Sequence, residues 1–161
     1  EERIKYILNW IKQYCYSIKH QPVTLVVGVS GGVDSAVTSA LLAKTGLATI
    51  AVSMPIKQNK EQYKLSLKHL EWLKVNFNNV DTKVIYLDDI FTSFQKTMKE
   101  YNSDLAFANS RSRLRMATLY QIAQYSNGLV VGTGNKVEDY GVGFFTKGAR
   151  IFFTKGVRMI I

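Results

Sequence analysis

The stretch Val23-Thr24-Leu25-Val26-Val27-Gly28-Val29-Ser30-Gly31-Gly32-Val33-Asp34-Ser35 decides the fold. Its first part is rich in β-branched side chains, the pattern of a buried strand. Behind it Ala36, Val37, Ala40 and Leu41 recur at helical spacing. A polar, glycine-rich turn therefore joins a strand end to a helix start. Such a turn is a ready anion site: the first N–H groups of a helix lack intrahelical partners, and its dipole favours negative charge there. Gly31 and Gly32 let the backbone approach a phosphate closely. Ser30 and Ser35 add hydroxyl donors, and Asp34 adds a carboxylate suited to a magnesium ion.

Two common phosphate loops are excluded. There is no Gly-Lys-Ser/Thr, so the turn is not a Walker A loop. It is not Gly-x-Gly-x-x-Gly either, which disfavours a hydride-transferring dinucleotide fold. Ser-Gly-Gly-x-Asp-Ser instead resembles the pyrophosphate loop of the ATP pyrophosphatase superfamily, whose members cleave ATP between the α and β phosphates to make an adenylated intermediate. The plainer alternative is an ordinary glycine-rich turn capped by Ser30. Strand, loop, acid and helix all agree with the phosphate reading.

The chain has 161 residues, enough for one domain with a real core, and 47% of them are hydrophobic, so a globular fold is expected. No apolar run reaches membrane-spanning length, and Glu1-Glu2-Arg3 opens an amphipathic helix rather than a signal peptide. The lone Cys15 excludes an internal disulfide framework and suits a reducing cytoplasm. It falls in the apolar series Ile4, Ile7, Leu8, Ile11, Cys15, Ile18, so a core thiol is expected rather than a nucleophile. His20 and His69 are too few and too scattered for a zinc site. The net charge of +9 suits nucleic acid or a small polyanion such as ATP. Lys57, Lys60, Lys64, Lys68 and Lys74 read as solvated surface, so no nucleic-acid partner is expected.

Strands and helices alternate. A helix is predicted over 2–19, a strand over 23–29, a helix from the turn to about Lys44, and a strand over 48–54 stopped by Pro55. A helix then carries Tyr63, Leu67, Leu70, Leu73 and Phe77 on one face, and Lys83-Val84-Ile85-Tyr86-Leu87 is the predicted third strand. Asp88 is placed as the cap of a short helix toward Glu100. A helix over 109–126 stops at Asn127-Gly128, before a strand over 129–132. Alternation implies right-handed βαβ crossovers, hence an α/β fold with a doubly wound parallel sheet and helices on both faces. The phosphate turn, Ser53-Met54 and Gly132-Thr133-Gly134-Asn135 then meet beyond the C-terminal strand ends, where ligands bind in such sheets.

In Gly132-Thr133-Gly134-Asn135-Lys136-Val137-Glu138 the glycines permit a tight turn, Thr133 offers a hydroxyl, and Glu138 can share a metal with Asp34. Arg111 and Arg115 share one helix face, and surface salt-bridging accounts for them; Arg113 points elsewhere, beside Asn109 and Met116.

Gly-Thr-Gly-Asn-Lys-x-Glu, followed by Gly143-Phe144-Phe145-Thr146-Lys147, resembles ammonia-dependent NAD synthetase. So does Asn109-Ser110-Arg111-Ser112-Arg113-Leu114-Arg115-Met116, which is similar to that family's Arg-x-Arg-Met helix. The likeness covers roughly residues 1–147, an ATP pyrophosphatase domain of the adenine-nucleotide α-hydrolase-like type. It implies ATP-dependent amidation of deamido-NAD with ammonia, giving NAD, AMP and pyrophosphate through an acyl-adenylate. On the matching positions, Gly28, Val29, Ser30, Gly31, Gly32, Val33, Asp34 and Ser35 would hold ATP, with Thr133, and with Met54 at the adenine. Asp34 and Glu138 match the magnesium ligands, and Arg113 and Lys147 match contacts to deamido-NAD. The resemblance further implies a cytoplasmic homodimer. No glutaminase region is visible, so ammonia would come from solution or from a separate protein.

After Lys147 the family's Tyr-Gly-Asp-Gly-Gly stretch is missing, and Phe152-Phe153-Thr154-Lys155-Gly156 repeats Phe144-Phe145-Thr146-Lys147-Gly148. Residues 148–161 are expected to be an atypical or truncated tail of the same domain. Two alternatives stand beside the synthetase reading. One is another pyrophosphate-loop ATPase, either an amidating ligase or a tRNA-modifying enzyme. The other is a catalytically inactive nucleotide-binding fragment.

Overall fold

A computed structural model describes residues 1–18, 24–134 and the backbone of 157–158. Chain order is α1 (Glu2–Ser17), β1 (Thr24–Gly28), α2 (Val33–Lys44), β2 (Thr49–Ser53), α3 (Lys60–Asn76), β3 (Val80–Val84), α4 (Asp88–Thr97), a 3-10 turn (Lys99–Tyr101), α5 (Asp104–Tyr125), β4 (Gly128–Gly132) and β5 (Val157–Arg158). The strands form one sheet in the order β3-β2-β1-β4-β5, and every neighbouring pair is parallel. The α/β parallel sheet read from the sequence is therefore observed.

The pleat of β1 divides the core. Leu25 and Val27 face a cluster with Ile11 and Cys15 of α1, Leu41 and Leu42 of α2, and Leu70 and Leu73 of α3. Val26 faces the other way, into a cluster with Val52, Val130, Phe91 of α4, and Phe107 and Ala123 of α5. Among the described residues, three helices thus cover one face and two the other, as parallel strands buried on both sides require. Cys15 is 4% exposed, and burial raises its thiol pKa, so it is an inert core residue. Lys57, Lys60, Lys64, Lys68 and Lys74 are all exposed. Among the described residues no helix is long and apolar enough to cross a membrane.

Three elements differ from the sequence expectation. The third strand is Val80–Val84, not 83–87. Among the described residues it pairs only with β2, and its Asp81 and Lys83 lie exposed in an ion pair of 2.9 Å. An edge strand carries charge on its open side, which hides it from an apolar-run search. The Ile85 and Leu87 N–H groups still donate to the carbonyls of Ser53 and Pro55, so the chain runs on beside β2 past the ladder. Asp88 does not cap α4: Leu87 occupies the cap position, and the Asp88 carboxylate accepts the Lys57 N–H at 2.8 Å. Helix α5 begins at Asp104 rather than 109, because the Ser103 hydroxyl accepts the Ala106 N–H and caps it earlier.

The chain leaves β3 on one side of β1 and returns to β4 on the other. The sheet's switch point therefore lies between the C-terminal ends of β1 and β4, and that is where a ligand crevice forms in this architecture.

Candidate functional site

The turn after β1 is knitted by its own serines. The Ser35 hydroxyl, 3% exposed, donates to the Gly32 carbonyl at 2.9 Å and accepts the Ser30 N–H at 3.2 Å. A hydroxyl carries one hydrogen. The 3.1 Å contact between the two hydroxyls is therefore donated by Ser30, whose oxygen in turn accepts the Gly32 N–H at 3.2 Å. The Ser30 carbonyl accepts the Gln58 side-chain amide at 2.7 Å. Gly31 has φ +91°, and a Cβ there would collide with the Gln62 carbonyl of α3. The turn is thus pressed against α3 at a point only glycine fits.

Gly32 holds the N-cap position of α2, and no side chain among the described residues caps that helix. By contrast, Asn59 caps α3 and Ser103 caps α5 through their side chains. An uncapped helix start behind a glycine turn leaves donors and a positive dipole end for an external anion. Asp34 stands half-buried in the first turn of the same helix. Val29 is 3% exposed and belongs to the core, whereas Val33 is 74% exposed beside the turn.

Met54, 5% exposed, follows β2 and lies over Gly28, where a Cβ would stand 3.3 Å from its methyl carbon. The Met54 carbonyl accepts a 2.9 Å bond from Arg115 Nε. This corrects the surface reading of two arginines. Arg115 is half-buried, and burial together with the nearby Arg111 lowers its pKa, with Asp88 opposing. Arg111 lies 5.6 Å above the Phe91 ring, a cation–π contact. Arg113, on another face, reaches the Asn109 carbonyl and side-chain oxygen at 3.4 and 3.5 Å. Replacing Arg115 with Met keeps an apolar stem but deletes the donor. It is expected to cost about 1.5–3 kcal/mol, the range for a hydrogen bond from a charged group. A lower urea midpoint at unchanged slope is the check.

Thr133, half-buried, directly follows β4 at the switch point, so the structure brings it and the phosphate turn to neighbouring strand ends. Glu138 and Lys147 lie outside the described residues, as does most of the 148–161 tail. Only Val157–Arg158 of that tail is described, pairing with Val131 and Gly132 as the edge strand β5, which the sequence reading did not contain. Among the described residues no group of three His, Cys, Asp or Glu could hold a metal. Gln58 and Arg115 are the site's supports that sequence reasoning missed. Both act on backbone carbonyls, and no residue spacing encodes such a bond.

A family model described as NAD synthase matches residues 3–149. The chain is 36% identical to the NH(3)-dependent NAD(+) synthetase of Mesoplasma florum, over 99% of its own length and 62% of that protein's. It is 36% identical to the corresponding enzyme of Mycoplasma genitalium, over 89% and 56%. Among solved structures it is similar to NMN synthetase from Francisella tularensis, with a TM-score of 0.80 and 33% identity over 91% of this chain and 58% of that one. It is also similar to the NH3-dependent NAD synthetase of Campylobacter jejuni, with a TM-score of 0.74 and 28% identity over 86% and 59%. The chain spans about three-fifths of the length of the curated relatives it matches.

Proposed function

The chain belongs to the NAD synthase family, and from that premise we propose that it takes part in ATP-dependent amidation of deamido-NAD with ammonia, yielding NAD, AMP and pyrophosphate. One observation carries the reading: an uncapped helix start behind a glycine–serine turn, set at the switch point of a parallel sheet.

A carboxylate is a poor acceptor for ammonia until it bears a leaving group. In the proposed first step an oxygen of the nicotinate carboxylate attacks the α-phosphorus of ATP. The bond to the β-phosphate oxygen breaks, and pyrophosphate departs. Ammonia then attacks the carbonyl carbon of the acyl-adenylate and loses a proton, and AMP leaves with the former carboxylate oxygen.

The residues supply positioning and electrostatics. Backbone N–H groups at the start of α2, from Val33 to Ser35, cradle the departing pyrophosphate. Ser30, exposed at the turn, can redirect its hydroxyl to a phosphate oxygen. Thr133 approaches ATP from the β4 side. Met54 meets adenine through its backbone, which Arg115 already fixes. Arg113, with Lys147, orients deamido-NAD.

Asp34 fits a magnesium ion that arrives with the nucleotide. Such ions take one or two protein carboxylates and fill the remaining positions from phosphates and water, and Glu138 would be the second carboxylate. When bound, the metal would offset the charge that builds on the phosphates. Two copies of the chain would form the working unit, in the cytoplasm.

The likeness to an NMN synthetase favours a second reading, in which the substrate is the mononucleotide that carries the same carboxylate. Incubation with magnesium, ATP, ammonium and either deamido-NAD or nicotinate mononucleotide separates the two. Equimolar NAD and AMP from deamido-NAD is the expected result. NMN and AMP from the mononucleotide alone would support the second reading. ATP binding without either product would mark an inactive fragment.

A further inference from the structure

Gln62, Ser66 and His69 recur at helical spacing and so share one face of α3. That face backs the phosphate turn and its helix. A Cβ on Gly31 would meet the Gln62 carbonyl and the Ser66 N–H. Ser66 is buried and its hydroxyl lies 2.9 Å from that of Ser53 at the end of β2. One contact on the face is less easily explained by packing: His69 Nε2 lies 2.8 Å from the hydroxyl of Ser39 in α2.

The direction of that bond follows from proton counting. Ser39 is 0% exposed, and its hydroxyl lies 2.7 Å from the Ser35 carbonyl and 3.1 Å from the Ala36 carbonyl. Its single hydrogen goes to those oxygens, so the bond to the ring is donated by His69 Nε2–H. The ring is held flat on Trp72, with centroids 5.5 Å apart and planes 24° apart. The donor therefore has one direction. Ser35, whose carbonyl Ser39 grips, is the residue whose own hydroxyl holds the Ser30–Gly32 turn together.

We propose that His69 is a positioning residue for the phosphate turn, acting through Ser39 and the first turn of α2. This rests on the reading of that turn as the ATP site. The bond fixes the Ser39 rotamer, and so the tilt of the Ser35 carbonyl and the aim of the helix N–H groups. Without the ring, the Ser39 hydroxyl has two carbonyls within reach, those of Ser35 and Ala36, and nothing on its far side to choose between them.

The test is calorimetric binding of magnesium–ATP to His69→Phe, His69→Gln and Ser39→Ala, with deamido-NAD binding measured on the same samples. Phe keeps the stack on Trp72 and removes the donor. Gln places an N–H at about the position of Nε2. His69→Phe and Ser39→Ala are each expected to weaken magnesium–ATP binding about tenfold, the scale of one hydrogen bond, with deamido-NAD affinity unchanged. His69→Gln is expected to recover most of the loss, and Ser39→Ala to add nothing to His69→Phe. Equal magnesium–ATP affinity in His69→Phe and the unsubstituted protein would overturn the proposal, as would an equal loss for both ligands without recovery by Gln. Should His69→Phe fail to fold, the Ser39→Ala and His69→Gln arms decide alone. Absence of magnesium–ATP binding by the unsubstituted protein would remove the ATP-site reading itself, and this proposal with it.

Discussion

Asp34→Asn is expected to abolish pyrophosphate release while leaving the fold in place. Asn keeps the size and most of the hydrogen-bonding capacity of Asp but removes the negative charge. Asp34 is half-buried in the first turn of α2, where losing that charge costs the helix about 0.3–1 kcal/mol through its dipole. The chemical step should lose far more. Holding a divalent ion against the phosphates contributes several kcal/mol of transition-state stabilisation, which corresponds to about two to four orders of magnitude in rate. The measurement is pyrophosphate release at saturating ATP, beside a thermal melt of the same sample. A near-unchanged melt with turnover lost is the expected pair of results. Unchanged turnover would refute the metal role.

Gly31→Ala is expected to damage both stability and nucleotide binding. The backbone at Gly31 has φ +91°, where an L side chain is strained, at a cost of about 1–2 kcal/mol. The new Cβ would also press on the Gln62 carbonyl, a backbone group that cannot rotate away. Overpacking of this kind adds about 1–3 kcal/mol. Relief requires α3 and the turn to separate, which would misplace Ser30 and the start of α2. Gly32→Ala is the control for stability. A Cβ there would meet only the Ser30 hydroxyl, at 3.4 Å. A urea titration should show a large drop for Gly31→Ala and little change for Gly32→Ala. Equal stability of the two would show that the turn does not depend on its contact with α3.

Much of this was legible in the chain. Strands β1, β2 and β4 are short apolar runs, and a strand buried on both faces of a parallel sheet must be one. The glycine–serine turn was legible because its glycines, serines and acid sit between such a run and a helical repeat. The elements that were misplaced obey other forces. Strand β3 sits at the edge, where Asp81 and Lys83 face water, so its polarity resembled a loop. The start of α5 is set by a single capping hydroxyl on Ser103. The supports of the site were the least legible part. Arg115 and Met54 are far apart in sequence, as are Gln58 and Ser30, and His69 and Ser39. Each pair meets only because the sheet order brings strand ends and helices together. In sequence, Arg115 looked like surface charge and His69 like an isolated histidine. The family motif marked Arg113, yet in the structure it is Arg115 that grips the end of β2.

Activation of a carboxylate by adenylation at the turn between β1 and α2 would be recorded in the fate of the carboxylate oxygens. Deamido-NAD labelled with oxygen-18 in the nicotinate carboxylate is turned over with magnesium, ATP and ammonium, and the products are examined by mass spectrometry. One labelled oxygen in the phosphate of AMP, with none in pyrophosphate, is the predicted result. Unlabelled AMP, or ADP together with labelled inorganic phosphate, would contradict it.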